Sequence, residues 1–370
     1  MAKKNLPIGV AKKQKNLADF DDSYMIENFF NLGRRNEFLS YKPLHQRLSS
    51  KYINYDEISS FEDFMEKAVR FLTRTAHSLF GFVTEEKISP IITFNLESQQ
   101  SYCGLVDNYI QIGTQILTEN NIPYQDRVDI CVAVIYHEFY HKRFTNRDIK
   151  ESMKLTKWEQ YYGNPKTKDK IEKLLPTKLH GILNNILEDR RIERLGAKEL
   201  PGYVFTFERE RRYALFLHSE KFIRPERTEG IVLDYLLTKI LLPENETIFF
   251  NEMKKYVEKG LVQFKNDPAI EKEKYIEYKE AYDLCEKTVL DLKKHIEENE
   301  TTILSDSWDD ILDETNNLFA LIPQNIREKL ETLFKSNAFT GMQDLPELKR
   351  YRYKRGEYSD PNFLEDGRNV

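Results

Sequence analysis

The sequence predicts an α+β fold, and three observations support this fold class. Apolar residues recur at three- and four-residue spacing from residue 60 onward, which predicts a long helix. Three short segments rich in β-branched and aromatic residues then predict strands: SPIITFNLE, SYCGLV and NYIQIGTQIL. Two more helices follow, roughly over 126–144 and 176–195. Because the strands are grouped between helices, we expect a small sheet packed by helices and not a series of βαβ units.

Glycine, proline and turn residues set the limits of these elements. Gly81 is a plausible end for the first helix, and Asp107-Asn108 between the last two strands predicts a hairpin. Pro123 leads into the second helix, and Gly196 is expected to close the third. Beyond Pro201 the chain is mostly helical and heavily charged, so we expect a helical C-terminal region.

Composition excludes several classes of protein. The chain has 370 residues, with 56 Lys and Arg against 61 Asp and Glu, which gives a net charge of −5. This balance argues against a protein that coats nucleic acid by bulk charge. Its three cysteines, Cys103, Cys131 and Cys285, form no CxxC pair, which excludes a Cys-rich zinc module and favours a reducing compartment. No targeting or membrane-spanning segment is visible, so a cytoplasmic protein without a membrane partner is expected.

The second predicted helix carries the motif H-E-x-x-H as His137, Glu138 and His141. Residues four apart on a helix lie one above the other, so both imidazoles can reach one cation. Zn²⁺ accepts two neutral imidazoles and a carboxylate and leaves a position for water. Glu138 is turned by about 100° from His137, so it can act as the general base on that water. Only seven His occur in the chain, which makes this pair informative.

The third predicted helix supplies candidates for a third ligand. Glu188 is the first choice, because a helix running antiparallel to the H-E-x-x-H helix can bring its carboxylate to the two imidazoles. Asp189 and His180 are the alternatives, and Glu193 is a weaker one. The competing interpretation is that the run EDRRIER forms only a solvated charged face.

Hydrolysis of this kind also needs a donor for the oxyanion that forms during attack. The segment after the third helix offers several candidates: Tyr203, Arg212, Tyr213 and His218. His180 is a further candidate, either as a hydrogen-bond partner of the metal ligands or as the oxyanion donor. Lys349–Arg355 interleaves five cations with two Tyr, a composition that could bind single-stranded nucleic acid, but a solvated tail is the favoured interpretation.

HEFYH at 137–141, followed about fifty residues later by NILEDRRIE at 185–193, resembles the zinc metallopeptidase domain of gluzincin type. That domain is often joined to, or encoded near, von Willebrand factor A domains of the cobaltochelatase-associated kind in bacteria and their phages. The resemblance covers roughly residues 60–200. It implies a zincin-like core in which Glu188 is a zinc ligand and Asp189 and Arg191 support the ligands. It also implies that strand 109–113 is an edge strand that binds extended substrate by strand addition.

Four regions are therefore expected along the chain. They are a basic mobile arm at 1–22, a zincin-like metallopeptidase domain at 23–245 with its core at 56–200, a charged helical region at 246–345, and a polar disordered tail at 346–370. The favoured function is hydrolysis of a protein or peptide substrate by one Zn²⁺ ion, in the cytoplasm of a bacterium or a phage-infected host. The alternative is a catalytically silent assembly module that works with an AAA+-type ATPase or a von Willebrand factor A-type partner.

Overall fold

A computed structural model describes most of the chain between residues 48 and 335. The described residues are 48–83, 91–97, 101–104, 109–118, 124–154, 165–199, 228–241, 243, 246–266 and 272–335. Within them the protein is mainly helical, with one small sheet toward the N-terminal side. The predicted α+β class is confirmed at this level. The predicted arm at 1–22 and tail at 346–370 lie outside the described residues.

The helices and strands are numbered here in chain order. Three strands follow the first helix, and the H-E-x-x-H helix comes next. The elements are α1 (Phe61–Val83), β1 (Ile91–Asn95), β2 (Tyr102–Cys103), β3 (Tyr109–Gly113), α2 (Tyr124–Tyr140), a π-helical turn (His141–Thr145), α3 (Asn146–Ser152), α4 (Pro165–Leu174), α5 (Lys178–Glu199), α6 (Gly230–Leu241), α7 (Glu246–Asn266), α8 (Lys272–Glu298), α9 (Glu300–Ile303), α10 (Trp308–Leu321) and α11 (Gln324–Lys335).

Helix α1 begins where its sequence supplies caps for the free backbone N–H groups. The Ser60 hydroxyl accepts a hydrogen bond from the backbone N–H of Asp63 at 3.1 Å, and the Asp63 carboxylate accepts one from the backbone N–H of Ser59 at 2.9 Å. This reciprocal arrangement satisfies donors that an uncapped helix would leave without partners. The predicted start is therefore confirmed, whereas the helix passes through Gly81 and ends at Val83.

The sheet is mixed, and its strand order is β1-β3-β2. Strand β3 pairs in parallel with β1, with Ile92 opposite Ile110, and antiparallel with β2, with Cys103 opposite Ile110. The antiparallel pairing of β2 with β3 agrees with the predicted hairpin. The expectation that 109–113 is an edge strand is wrong, because β3 lies at the centre with both sides paired. Strand addition at β3 is thereby excluded.

The first core joins α1, the sheet and α2. It also takes in one buried residue of α5, Ile192, and the partly buried Leu195. Helix α2 is surrounded on nearly all sides, since most of its residues are buried. Among the fully buried residues of this core are Phe64, Leu72, Ile110, Ile112, Leu117, Tyr124, Val128, Cys131, Val132, Ile135 and Tyr140.

The second core is formed by helices, apart from Ile322, which directly follows α10. It begins in the first half of α5, from Leu179 to Leu187, and extends through α6 to α11. Helix α6 belongs to this core together with the later helices, so the buried apolar residues divide at α5. Its fully buried members include Leu179, Leu187, Val232, Leu233, Tyr235, Leu236, Cys285, Val289, Leu292, Ile311, Leu318 and Leu330.

Helix α5 therefore passes from the second core to the first. It does not end at Gly196, as the sequence predicted, but continues to Glu199. At Gly196 the ring of Tyr140 lies so close that a Cβ atom would stand 2.2 Å from Tyr140 Cε2. The glycine is required by the close packing of α2 against α5, and this packing brings the second half of α5 beside the H-E-x-x-H motif.

Candidate metal centre

The H-E-x-x-H motif lies where α2 changes its helical geometry. His137 is in the last turn of α2, and His141 is the first residue of the π-helical turn. The two imidazole rings lie 4.8 Å apart, with their planes at 81°. π-Helical turns are rare and are frequent at functional sites. The pair is thus presented by a buried helix, as the sequence predicted.

Three possible ligand atoms converge at this point. His137 Nε2 lies 3.2 Å from His141 Nε2, and Asp189 Oδ1 on α5 lies 3.1 Å from His141 Nε2 and 3.5 Å from His137 Nε2. These three residues form a group that could hold a metal ion. In the described part of the chain, no other group of three or more His, Cys, Asp or Glu residues is arranged so that it could hold a metal ion.

A carboxylate binds the far side of the first imidazole. His137 Nδ1 lies 3.1 Å from Glu193 Oε1. Glu193 is buried and stands one helical turn after Asp189 on α5, so both carboxylates face α2. An ionised carboxylate can only accept hydrogen bonds. Glu193 can therefore accept a hydrogen from His137 Nδ1, and in that tautomer Nε2 can bind a cation.

A hydroxyl binds the far side of the second imidazole. His141 Nδ1 lies 3.2 Å from Thr145 Oγ1, at the other end of the π-helical turn. The Thr145 hydroxyl donates to Glu188 Oε1. Glu188 in turn accepts from Arg191, at 2.6 Å from Nε and 2.7 Å from the second terminal nitrogen. Glu188 is thus connected to His141 through the hydroxyl of Thr145.

Asp189 is held in orientation by a neighbour on its own helix. Its second carboxylate oxygen accepts a hydrogen bond from Asn185 Nδ2 at 3.0 Å, which turns Oδ1 toward the imidazoles. Burial raises the pKa of Asp189, but interactions with His137 and His141 outweigh burial and hold the pKa well below its usual range. Asp189 therefore presents an ionised oxygen to the two Nε2 atoms.

Glu138 lies beside this group but is bonded differently. Only 4% of the residue is exposed, and its Oε2 atom is buried without a hydrogen-bond partner in the described residues. Burial raises the pKa of its carboxyl group; His137 and His141 lower it, and Asp189 raises it further. A buried carboxylate oxygen without a partner is costly unless it serves a ligand or a water molecule.

The donor set fits a tetrahedral zinc ion. Bonds of the usual length from zinc to nitrogen and oxygen place neighbouring ligand atoms about 3.3 to 3.5 Å apart at tetrahedral angles. The three separations in the structure, 3.1, 3.2 and 3.5 Å, lie close to these values. Side-chain exposure is 23% for His137, 13% for Asp189 and 11% for His141, so solvent reaches the group mainly beside His137.

The structure differs from the sequence analysis in the third member of the group. Asp189, which was an alternative, faces the two imidazoles, whereas the preferred Glu188 is bound by Arg191 and Thr145. Arg191 supports the site through Glu188. The resemblance implied that Asp189 supports the ligands, whereas in the structure Asp189 is itself one of the three possible ligands.

His180 points away from the imidazole pair. Its ring stacks on Phe319 of α10 at 3.6 Å, and its Nδ1 lies 2.8 Å from the hydroxyl of Thr177. The remaining candidates for the oxyanion donor lie outside the described residues: Tyr203, Arg212, Tyr213 and His218.

A polar pattern in α5 could have identified the face that lies beside the two imidazoles. Asn185, Asp189 and Glu193 recur at four-residue spacing, as His137 and His141 do on α2, and all three contribute to the site. Thr145 is also four residues from His141. Neither series was used in the sequence analysis, although spacing of four is the signal for a shared helix face.

Comparison of the chain with known protein families, with curated proteins and with solved structures finds no match. Among the described residues no helix combines the length and apolarity needed to cross a membrane.

Proposed function

We propose that the protein is a metal-dependent hydrolase, a zinc peptidase in which His137, His141 and Asp189 hold the ion and Glu138 is the general base. The resemblance of the two motifs to the gluzincin type supports the reaction class. In this proposal an aspartate takes the place that a glutamate has in the resemblance. The Zn²⁺ ion would polarise a water molecule and the substrate carbonyl.

One observation carries the proposal: His137 Nε2, His141 Nε2 and Asp189 Oδ1 converge within 3.1 to 3.5 Å of one another. Each imidazole also has its Nδ1 atom within hydrogen-bond distance of an outer oxygen, Glu193 Oε1 or Thr145 Oγ1. A cation bound by both Nε2 atoms and Asp189 would therefore leave each ring hydrogen with an acceptor. Imidazole nitrogens held in this way by outer carboxylates or hydroxyls are typical of metal ligands.

Glu138 is the group best suited to move a proton in this site. Its partnerless Oε2 atom would accept a proton from the attacking water and then donate it to the nitrogen of the leaving amine. The carboxyl group cannot reach bulk water, because Glu138 is almost fully buried. Its proton would therefore remain available to the leaving group.

A metal titration of the purified full-length chain tests the ligand set. We expect one Zn²⁺ or Co²⁺ per chain, and Asp189→Asn should weaken binding of the ion by at least about 100-fold, because an uncharged amide is a poor ligand for either ion. The matched control is Asp169→Asn on α4, where the aspartate is exposed and is outside the group. If the wild-type chain binds neither ion, the proposal fails.

Glu138→Gln tests the chemical role. This variant keeps the shape of the side chain but cannot accept a proton, so Zn²⁺ binding should persist while cleavage falls by about 100-fold or more. The probe is a mixture of quenched fluorogenic peptides, and the control is Glu151→Gln, which changes an exposed glutamate on α3. If metal-loaded wild type cleaves none of these peptides and Glu138→Gln has no effect, the assembly module is the better interpretation.

A further inference from the structure

The two imidazoles of the candidate centre are held by different means. His137 bonds directly to Glu193, whereas His141 is connected to a carboxylate only through Thr145. The second connection continues to Arg191, whose guanidinium is fully buried. We propose that Thr145 is a positioning residue that fixes the ring hydrogen of His141 on Nδ1, and that Glu188 and Arg191 determine the direction in which Thr145 donates. This inference rests on the proposed metal centre.

The connection runs from His141 through Thr145 and Glu188 to Arg191. The direction in which Thr145 donates follows from the cation at its end. Arg191 has only donors, and it contacts both oxygens of Glu188, at 2.6 and 2.7 Å. Both oxygens of Glu188 therefore act as acceptors. The Thr145 hydroxyl must then donate its single hydrogen to Glu188 Oε1. Its oxygen is left as an acceptor for His141 Nδ1.

The consequence for His141 is a preference for one tautomer. With the ring hydrogen on Nδ1, the lone pair of Nε2 points toward Asp189 Oδ1 and His137 Nε2, at 3.1 and 3.2 Å. The opposite tautomer would place a hydrogen on Nε2 and would prevent it from binding a cation. In the metal-free protein Asp189 Oδ1 competes for this hydrogen at Nε2, and the acceptor that Thr145 presents to Nδ1 favours the tautomer that metal binding requires.

The π-helical turn places Thr145 for this role. Thr145 directly precedes α3, where a threonine hydroxyl commonly caps the backbone N–H groups, yet it makes no such bond here. Its hydroxyl is used entirely by His141 and Glu188. Thr145 is 3% exposed, so water does not compete for either bond.

Arg191 is fixed from outside the site as well. One of its terminal nitrogens donates to Asp148 of α3 at 2.6 Å and to the backbone carbonyl of Asp306 at 3.0 Å. The guanidinium thus contacts three segments and has little freedom to turn. Glu188 is therefore bound to a rigid cation, and the bonding direction at Thr145 is fixed with it.

Two substitutions at Thr145 separate the hydroxyl from the shape of the side chain. Thr145→Val keeps the volume and branching but removes the hydroxyl, whereas Thr145→Ser keeps the hydroxyl. We expect Thr145→Val to weaken Co²⁺ binding by about 10- to 100-fold, as loss of an outer partner of a ligating histidine does. Thr145→Ser should bind Co²⁺ within about threefold of wild type. Equal binding by Thr145→Val and wild type, or equally weak binding by both variants, would overturn the proposal.

The tautomer can be measured without any metal. Long-range ¹H–¹⁵N correlation spectra of the metal-free full-length chain, with ¹⁵N-labelled histidine, distinguish a protonated from an unprotonated ring nitrogen. We expect the hydrogen of His141 on Nδ1 in wild type and Thr145→Ser, and a mixture of tautomers in Thr145→Val. A hydrogen on Nε2 in wild type would refute the proposal even if the chain binds metal. Conversely, the expected tautomer in a chain that binds no metal would support this inference while the proposed function fails.

Discussion

The two cores of the protein share helix α5 but use different halves of it. The second core takes Leu179 to Leu187, whereas the first core takes Ile192 and Leu195. The charged residues of the candidate centre lie at this changeover, from Glu188 to Arg191 and at Glu193, with Ile192 among them. The difference shows how a helix can bury carboxylates. At the point where it leaves one core and enters the next, no continuous apolar layer covers it, and polar groups from α2 and α3 can reach it.

The largest effect on stability is expected at Arg191, whose buried guanidinium binds Glu188 and Asp148 at the point where α5 passes from one core to the other. Arg191→Met leaves Glu188 buried and Asp148 without its guanidinium partner, so the free energy of unfolding should fall by about 3 to 5 kcal/mol. Urea denaturation of the metal-free chain measures the loss.

The double variant Glu188→Gln with Arg191→Met serves as the control for this prediction. It removes the buried unpaired carboxylate as well as the cation, and it should therefore be more stable than Arg191→Met alone. If Arg191→Met is within about 1 kcal/mol of wild type, the buried guanidinium does not stabilise the fold.

Two glycines of α5 test the cores separately. At Gly196, on the side of the first core, an added Cβ would stand 2.2 to 2.6 Å from three ring atoms of Tyr140, whereas at Gly181, on the side of the second core, nothing lies within 4 Å. Gly196→Ala should lower the free energy of unfolding by about 2 to 3 kcal/mol through overpacking. Gly181→Ala should raise it by about 0.5 to 1 kcal/mol through helix propensity.

Thermal unfolding of the two glycine variants gives the comparison directly, because both substitutions are the same change in one helix. Gly196→Ala should also weaken Co²⁺ binding, since Tyr140 directly precedes His141. Equal melting temperatures for the two variants would show that α5 is not packed more closely against the first core than against the second.

The smallest effect is expected at the margin of the second core, where Glu246 accepts hydrogen bonds from Lys239 and Lys293 at 2.7 and 2.8 Å. Burial raises the pKa of Glu246, but these bonds outweigh it and hold the pKa below its ordinary value. A lowered pKa in the folded state stabilises the protein above the ordinary glutamate pKa, and this contribution is lost as the pH falls through the folded-state pKa.

Glu246→Gln should therefore cost about 1 kcal/mol of unfolding free energy at pH 7 and less at pH 3. Urea denaturation at the two pH values measures this difference. The matched control is Glu298→Gln, whose exposed ion pair with Lys294 at 3.8 Å should contribute nothing measurable. A cost for Glu246→Gln that is the same at both pH values would contradict the assignment.

Sequence periodicity was sufficient to predict the helices that build the site. The second helix was expected over 126–144, and α2 together with the π-helical turn covers Tyr124–Tyr140 and His141–Thr145. Periodicity could not reveal the π-helical turn, because apolar spacing of three and four continues through Phe144 and indicates an ordinary α-helix. Within this turn His141 and Thr145 contact Asp189 and Glu188 of α5, which are distant in sequence.

The choice between Glu188 and Asp189 shows the same limit. Adjacent residues on a helix point about 100° apart, so the site could be predicted only if the rotation of α5 were known. That rotation is fixed by α10: Asn184 donates to Thr315 at 3.2 Å, and His180 stacks on Phe319. Both partners lie more than a hundred residues further along the chain. The face that carries His180, Asn184 and Glu188 is thus turned away from the imidazoles.

The bond from Arg191 to the backbone carbonyl of Asp306 has a consequence for how this protein can vary in evolution. A carbonyl is present whatever residue stands at position 306, so substitutions there leave the acceptor of this hydrogen bond in place. An insertion or deletion between α9 and α10 would instead move the carbonyl away from a guanidinium that is fully buried. We therefore expect the length of this connection to be under stronger selection than its amino-acid sequence.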